Sequence, residues 1–403
     1  MLLYREDTKM YQVIFNHYLE LTLTVFYIVF FVMLVFSASY WCLSNNKIER
    51  IEQKSIFLDI RFWIPCLVYT ILLGYRWNYA FDWEQYYYTF LDIQKGYLYR
   101  DTTEKGYLAI NYLLGRCGFD FYSIFLLEGF IYITSIYIML QKNRKALAFA
   151  LPLIYISARY NCLNISRQFF AQSILWIAFY YLIHNKKIIY FILGFIACTI
   201  HTSAYIWFVA FYVVRYIKMP SLKITSIIYC LCVSLKLVIQ KYLFTLSSLL
   251  TAFLITNKGY DSEHMMADRF NRGESSIYSI FILAIIHFTF IFSAYYVRRK
   301  GYLKTDWENI LVLVGVYGIF MNVLGGTHEI LDRFFWYFSY LYYIAWGIVV
   351  CHMIKHFYSI PAFIWLLTFI SFVQRLWFMY STIVEECLGQ SHHYLEYKIN
   401  FLF

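Results

Sequence analysis

The sequence predicts an all-α, polytopic transmembrane helical bundle of about twelve spans, forming a single integral membrane domain over residues 1–403. Of the 403 residues, 61% are hydrophobic and 14% are charged, whereas a soluble domain carries about 25% charged residues. The apolar residues recur in runs of about 15–25, the length that crosses a bilayer as a helix. Short clusters of Lys and Arg separate many of these runs, which is the usual orientation signal of a membrane protein.

Two segments in the first half of the chain, residues 18–43 and residues 105–117, differ from ordinary membrane spans. The first apolar run, residues 18–43, lacks a small-residue cleavage site, so it is predicted to be a retained helix and not a signal peptide. Residues 105–117 are too short and too mixed in polarity to span easily. They predict an interfacial or re-entrant helix, which requires protein or water around its backbone. The other helices of this half are predicted at 59–75, 119–140, 146–159, 165–184, 188–200 and 204–217.

Basic clusters orient the bundle. The helices of the second half are predicted at 222–242, 277–297, 307–324, 334–354 and 360–381. Basic clusters at 142–145, 186–187 and 215–218 agree on one cytoplasmic side. The outward loops are then residues 76–118, 243–276 and 325–333. If residues 105–117 span the membrane instead, the N-terminus moves inside and residues 76–104 become cytoplasmic.

Charge and cysteine content exclude several classes of protein. The net charge of +10 would suit nucleic acid, but much of it lies in clusters between apolar runs, so membrane lipid is the predicted contact and nucleic acid is not. The nine Cys form no CxxC pair, and no disulfide frame is predicted. His328-Glu329 lacks a second His four residues on, so the zinc-protease pattern is absent. We predict no metal and no other cofactor.

The chain is organised around two polar tips, residues 159–168 and 201–203. Two apolar runs with a Lys pair between them separate the tips, so both tips face the same, non-cytoplasmic side. Asn164 or Ser166 is predicted to cap the helix that follows the first tip. Arg167 then lies in the first helical turn, where the dipole disfavours a cation unless an anion is bound. A guanidinium at a helix N-terminus suits phosphate, although an Arg that anchors a helix end in lipid headgroups is the alternative.

Further polar groups collect on the same face. Several Arg together with carboxylates and His suit a diphosphate substrate and a hydroxyl-bearing partner, because Arg stabilises the leaving group and a base takes the hydroxyl proton. The candidates for diphosphate binding are Arg76, Asn164, Arg167, Gln168, Arg269 and Arg333. The candidates for the catalytic base are His201, His328, Asp82 and Glu104. The alternatives are that His201 is a solvated cap and that Asp332-Arg333 is an ordinary pair at a helix start.

Some ionisable residues lie inside predicted spans. Such residues are candidates for function by default, but Lys and Arg can also extend to the interface. These residues are Glu128, Lys236, His287 and Arg375. We leave them outside the predicted site.

Three short motifs carry a family resemblance. They are Glu104-Lys105-Gly106-Tyr107, then residues 164–171 with Arg167-Gln168, and then Ala197 to Ala204 with His201-Thr202-Ser203. Together they resemble the EpsG-like branch of the Wzy-type O-antigen and capsule polymerases. The segments Arg76…Asp82…Tyr86 and Asp332-Arg333…Tyr337 also fit, so the resemblance covers residues 60–350.

The resemblance implies a multi-pass glycosyltransferase of the bacterial inner membrane. Such an enzyme moves the growing glycan from undecaprenyl diphosphate onto the non-reducing end of a lipid-linked repeat unit on the periplasmic face. It uses no nucleotide sugar and no metal, and family context implies a chain-length regulator as a partner. By motif, Arg167, Gln168 and His201 match the family's Arg, Gln and His. The family pattern does not identify the base.

Two other functions fit the same composition. A flippase or transporter of lipid-linked oligosaccharide would have paired broken helices and an internal repeat, and the sequence shows no repeat. A membrane acyltransferase that modifies the polysaccharide would use His201 or His328 as base and would admit its acyl donor from the cytoplasmic side.

Overall fold

The computed structural model describes residues 2–76, 82–97, 104–238, 277–326 and 329–402. Within these ranges the regular structure is helical and contains no strand, which confirms the all-α prediction. The first helices are α1 Leu2–Ala38, α2 Asn45–Glu52, α3 Ile60–Gly74, α4 Trp83–Gln94, α5 Lys105–Arg116, α6 Tyr122–Met139, α7 Leu147–Asn164, α8 Ser166–Ile183, α9 Lys187–Ile200 and α10 Ala204–Val214. They are followed by α11 at 222–238, α12 Ile277–Arg299, α13 Asp306–Gly325, α14 Glu329–Ser339, α15 Leu341–Lys355 and α16 Ala362–Leu402.

Among the described residues, six helical segments are long and apolar enough to cross a membrane. They are Leu19–Cys42, Tyr122–Met139, Ile280–Arg299, Asp306–Gly325, Leu331–Lys355 and Ala362–Ser381. Helices α3, α9 and α10 are apolar but shorter, and they fall below the roughly 20 residues that a perpendicular span needs. The chain is therefore a helical membrane protein, and the number of about twelve spans stays a prediction.

Several predicted boundaries differ from the helices observed. The predicted helix at 334–354 is two helices, α14 and α15, separated at Tyr340. The outward loop predicted at 76–118 contains α4 and α5, and the predicted re-entrant segment coincides with α5. The loop predicted at 243–276 lies outside the described residues.

The chain divides into two compact units. Unit 1 comprises residues 1–204 and 372–403, and unit 2 comprises residues 205–371. In unit 1, α8 packs between α6 and α9, while α3 packs against α6 and α1. In unit 2, α13 packs against α14 and α15, and the rings of Phe211 and Phe338 stack with centroids 4.5 Å apart.

A tight turn joins α8 to α9 and sets the geometry of the site. Asn185 adopts a φ of 63°, a left-handed conformation that Asn tolerates better than most residues. The backbone N–H of Lys186 donates to the carbonyl of Tyr181 at 2.8 Å. The two helices are thus antiparallel neighbours, so the beginning of α8 and the end of α9 lie at the same end of unit 1.

A buried ion pair between Arg144 and Asp59 lies at the N-terminal end of α3. The Arg144 guanidinium is fully buried, and its Nη1 lies 2.9 Å from Oδ2 of Asp59. The Tyr40 hydroxyl donates to the same carboxylate oxygen at 2.9 Å. Arg144 also donates its backbone N–H to Oε1 of Glu52 at 2.9 Å. These contacts join the short 3-10 turn after α1, helix α2, the residue before α3 and the α6–α7 connection.

We predict that Arg144→Met destabilises the protein by about 3 kcal/mol, because the change removes one partner of a buried pair and leaves the other desolvated. The matched control is Arg61→Met. Arg61 also contacts Asp59, at 3.3 Å, but its side chain is 26% exposed, so its loss should cost about 1 kcal/mol or less. Melting temperatures of the purified variants in detergent measure both effects, and equal shifts would contradict the assignment.

Candidate active site

The polar site forms around the short break between α7 and α8. Helix α7 ends at Asn164 and α8 begins at Ser166, with Ile165 at φ −109° and ψ 53° between them. The prediction that Asn164 or Ser166 caps α8 is wrong, because Ile165 is the N-cap residue and makes no side-chain cap hydrogen bond. The polar side chains are used elsewhere: Oδ1 of Asn164 accepts from the backbone N–H of Asp82 at 3.1 Å. The predicted place of Arg167 in the first turn of α8 is confirmed.

Arg167, Glu104 and His201 meet at this end of unit 1. Nη1 of Arg167 lies 3.1 Å from Oε2 of Glu104, and Nδ1 of His201 lies 3.6 Å from Oε1 of Glu104. The backbone N–H and the hydroxyl of Thr202 each donate to Oε1 of Glu104 at 3.3 Å. The Glu104 side chain is 14% exposed and that of Arg167 is 25% exposed. The two polar tips and the acidic residue before α5 therefore form one cluster.

The surroundings of Glu104 favour its charged form. Burial alone would raise the pKa of this carboxyl, but the positive charge of Arg167, the neighbouring His201 and the backbone N–H of Thr202 outweigh burial and lower the pKa below its ordinary value of 4.5. The carboxylate is thus ionised at neutral pH. While Arg167 holds it, it is a weak base, and its basicity rises if that contact is lost.

Helix α5 packs closely against α9, and this contact places Glu104 in the cluster. Glu104 directly precedes α5 and is its N-cap residue. At Gly106, in the first turn, a Cβ atom would overlap the side chain of Thr199 in the last turn of α9. Only glycine permits this approach, which brings Glu104 beside Thr202.

Arg76, which follows α3, holds the break between α7 and α8 in position. Its Nη1 donates to the carbonyl of Leu73 at 2.8 Å, and its Nη2 donates to the carbonyl of Leu163 at 3.1 Å and to the Ser166 hydroxyl at 2.9 Å. Its guanidinium carbon lies 3.7 Å from the centroid of the Phe125 ring. Arg76 therefore ties the end of α3 to the residues immediately before Arg167.

Helix α4 completes the wall of the site. The indole N–H of Trp83 donates to the carbonyl of Arg76 at 3.0 Å. The hydroxyl of Tyr86 lies 3.5 Å from the backbone nitrogen of Arg167. Asp82 reaches the α7–α8 break through its backbone N–H, as described for Asn164.

The other predicted site residues lie elsewhere or outside the described ranges. Gln168 is buried in the first turn of α8. Arg333 belongs to α14 of unit 2. His328 and Arg269 lie outside the described residues, so their roles stay predictions. Within the described ranges, no three His, Cys, Asp or Glu side chains are grouped so as to hold a metal ion.

Sequence reasoning left out one buried carboxyl near the site. Glu128 of α6 is 7% exposed and lines a cavity of about 20 Å³ together with Arg76 and Ser166. That volume accommodates about one water molecule. The signal that could have found Glu128 was its position as an ionisable residue inside an apolar helix.

The fold and the cluster define a helical membrane protein with an anion-compatible arginine at a helix N-terminus. The EpsG family model matches residues 59–399, and the chain belongs to that family. The resemblance seen in the motifs is thereby confirmed, and it identifies a membrane protein of the polysaccharide-polymerase type. Comparison with curated proteins and with solved structures finds no match.

We predict that Gly106→Ala destabilises unit 1 by about 1–3 kcal/mol, because the added methyl group must push α5 away from α9. Gly129→Ala is the matched control. Gly129 is also helical, but a Cβ there would meet its nearest neighbour, Tyr69, at an ordinary 3.5 Å, so the protein should be unchanged or slightly more stable. Thermal unfolding distinguishes the two variants, and similar melting temperatures would show that the contact is dispensable.

The lowered pKa of Glu104 predicts a pH dependence of stability. A carboxyl whose pKa is depressed on folding contributes stability above its unfolded pKa, and this contribution disappears as the pH falls through the folded pKa. The advantage of the wild type over Glu104→Gln, on the order of 1 kcal/mol, should thus be constant above about pH 5, should decline as the pH falls below the ordinary carboxyl pKa of 4.5, and should vanish once the pH lies below the folded pKa. Melting temperatures measured against pH test this, and an advantage that persists in strong acid would refute it.

Proposed function

We propose that the protein is an O-antigen or related polysaccharide polymerase. In this reaction the growing glycan moves from undecaprenyl diphosphate onto the non-reducing end of a lipid-linked repeat unit, at the periplasmic face of the bacterial inner membrane. Membership of the EpsG family supports the reaction class. The observation that carries the proposal is the cluster in which Arg167, in the first turn of α8, is held by the carboxylate of Glu104 at 3.1 Å.

Arg167 is the proposed diphosphate ligand. A guanidinium in the first turn of a helix offers charge and donors to phosphate oxygens. The carboxylate of Glu104 already accepts this interaction, so an anionic oxygen fits the position. The diphosphate of the donor would take that place and displace Glu104 from Arg167. Arg76 would position Arg167 indirectly, because it holds the break between α7 and α8 in place.

Displacement of Glu104 would generate the catalytic base. A carboxylate released from an arginine in a partly buried site becomes a stronger base. It would accept the proton of the acceptor hydroxyl as that oxygen bonds to the anomeric carbon of the donor. The bond between the anomeric carbon and the diphosphate oxygen breaks, the electron pair leaves with undecaprenyl diphosphate, and Arg167 stabilises the new charge.

His201 is the second candidate for the base, and its Nδ1 lies 3.6 Å from Glu104. His328 and Asp82 remain alternatives for the same step. Gln168, Asn164, Arg269 and Arg333 remain proposed contributors to diphosphate binding. A chain-length regulator remains a proposed partner, and about twelve spans with the site on the periplasmic side remain the proposed topology.

We predict that Arg167→Ala leaves the protein in the membrane but yields single-repeat lipid-linked units instead of polymer. Loss of one electrostatic donor to a leaving group costs about 100- to 1000-fold in rate. The measurement is turnover of the lipid-linked repeat unit by purified protein, with products separated as a ladder on a gel. Arg116→Ala, which removes an exposed arginine at the end of α5, is the matched control and should give a normal ladder. A normal ladder from Arg167→Ala would overturn the assignment.

Two other functions make different predictions in a deletion strain. A flippase or transporter would leave repeat units on the cytoplasmic face. A membrane acyltransferase would lose a substituent of the polysaccharide without any loss of chain length. Periplasmic accumulation of single repeats is the result expected for the polymerase.

A further inference from the structure

One side of α9 carries an exposed apolar surface that leads to the polar cluster. We propose that this surface holds the polyprenyl tail of the lipid-linked substrate while its diphosphate lies at Arg167. The substrate then enters the site sideways from the bilayer and not from the aqueous phase. This inference rests on the proposed diphosphate site, and it names the surface that receives the rest of the same lipid.

Helix α9 has two different sides. Tyr190 and Cys198 are buried, as expected for the side that packs against α8. The opposite side is apolar and exposed, and it carries Ile188, Ile192 and Phe195. Because these three residues recur at intervals of four and three, they lie on one face of the helix. They form a continuous apolar stripe along α9.

The stripe continues into the polar cluster. Thr199 follows Phe195 by one helical turn on the same face and is exposed. The exposed Thr202 then donates its backbone N–H to Oε1 of Glu104 at 3.3 Å. The other carboxylate oxygen of Glu104 lies 3.1 Å from Nη1 of Arg167. A lipid with its diphosphate at Arg167 can therefore lay its tail along α9.

Protein covers the cluster on other sides. Helix α8 is buried along most of its length and packs between α6 and α9, so a tail cannot follow α8. Helix α5 packs against α4, α6 and α9, and the hydroxyl of Tyr86 in α4 lies 3.5 Å from the backbone nitrogen of Arg167. The exposed face of α9 is thus the apolar path that leads away from Arg167.

The lengths of α8 and α9 place the cluster inside the membrane. The two helices are joined at the exposed residues Asn185, Lys186 and Lys187, which mark one membrane surface. The 14 residues of α9 and the 18 residues of α8 extend about 21 Å and about 27 Å. A hydrocarbon core is about 30 Å thick. A diphosphate at the cluster therefore lies deeper than an ordinary headgroup, and its tail lies beside α9.

Lateral entry keeps both parts of the lipid in favourable surroundings. Apolar surface is stabilised when it is removed from water, so a lipid that arrived through water would first have to lose that stabilisation. A diphosphate below the headgroup level needs charge and hydrogen-bond donors, and the Arg167 guanidinium supplies both. The tail stays in the bilayer while the diphosphate exchanges its water for the cluster.

The test is photo-crosslinking of the full-length protein in nanodiscs of phosphatidylethanolamine and phosphatidylglycerol, with undecaprenyl diphosphate as the probe. The protein carries p-benzoyl-phenylalanine in place of Phe195, and mass spectrometry identifies the molecule attached to it. We expect a polyprenyl adduct at this position, and Arg167→Ala should cause its loss. Ile192 is the second labelling position if the protein labelled at position 195 does not fold.

The matched control has the same photoreactive residue in place of Phe31. Phe31 lies in α1 and is 64% exposed, compared with 58% for Phe195. Because the stripe of α9 does not include it, position 31 should give phospholipid adducts, and Arg167→Ala should leave its labelling unchanged.

Chain length provides a second measurement. Ile188 lies about 10 Å farther from the cluster than Phe195 along the axis of α9. Farnesyl diphosphate, which has a short chain, should label position 195 and not position 188. Undecaprenyl diphosphate should label both positions. Equal labelling of position 188 by the two probes would contradict a tail that lies along the helix.

The failures of the two proposals are distinguishable. Phospholipid adducts alone at position 195, polyprenyl labelling equal to that at position 31, or labelling that survives Arg167→Ala overturns the inference. Titration calorimetry with farnesyl diphosphate tests the proposed function separately. Binding that Arg167→Ala abolishes leaves the diphosphate site intact, whereas no binding by the wild type, or unchanged binding by Arg167→Ala, overturns the proposed function itself.

Discussion

The ion pair between Arg167 and Glu104 is the interaction on which the site depends. Its atoms lie 3.1 Å apart in surroundings that are only partly open to solvent, where an unpaired charge would be costly. The pair joins the start of α8 to the residue that precedes α5. Because the same carboxylate also accepts from Thr202 after α9, three chain segments that are distant in sequence converge on one acid. The same pairing explains why the pKa of Glu104 lies below its usual range despite burial.

The helix packing of unit 1 makes this convergence possible. The turn at Asn185 returns α9 along α8, so a helix start and a helix end are placed side by side. Gly106 then allows α5 to approach the last turn of α9. Arg76 donates to the carbonyl of Leu73 in α3 and, at the break between α7 and α8, to the carbonyl of Leu163 and the hydroxyl of Ser166. The Arg167–Glu104 pair thus stands on closely packed helices.

The sequence predicted the parts of this arrangement that depend on local patterns. Apolar runs predicted the helices, and the two-helix excursion between the polar tips predicted that Arg167 and His201 share one end. Contacts between distant segments were not predictable. The predicted cap of α8 was wrong because Asn164 accepts a hydrogen bond from the backbone of Asp82 and Ser166 accepts one from the side chain of Arg76. The contact of Glu104 with Arg167 depends on the packing of α5, and the cavity that Glu128 shares with Arg76 and Ser166 depends on the packing of α6 against α3 and α8.

The most direct test is an experimental structure of the protein with a polyprenyl diphosphate bound. We predict that phosphate oxygens lie within hydrogen-bond distance of the Arg167 guanidinium and that Glu104 has moved off Arg167 toward solvent. A diphosphate bound elsewhere, with Arg167 and Glu104 still in contact at 3.1 Å, would contradict the account.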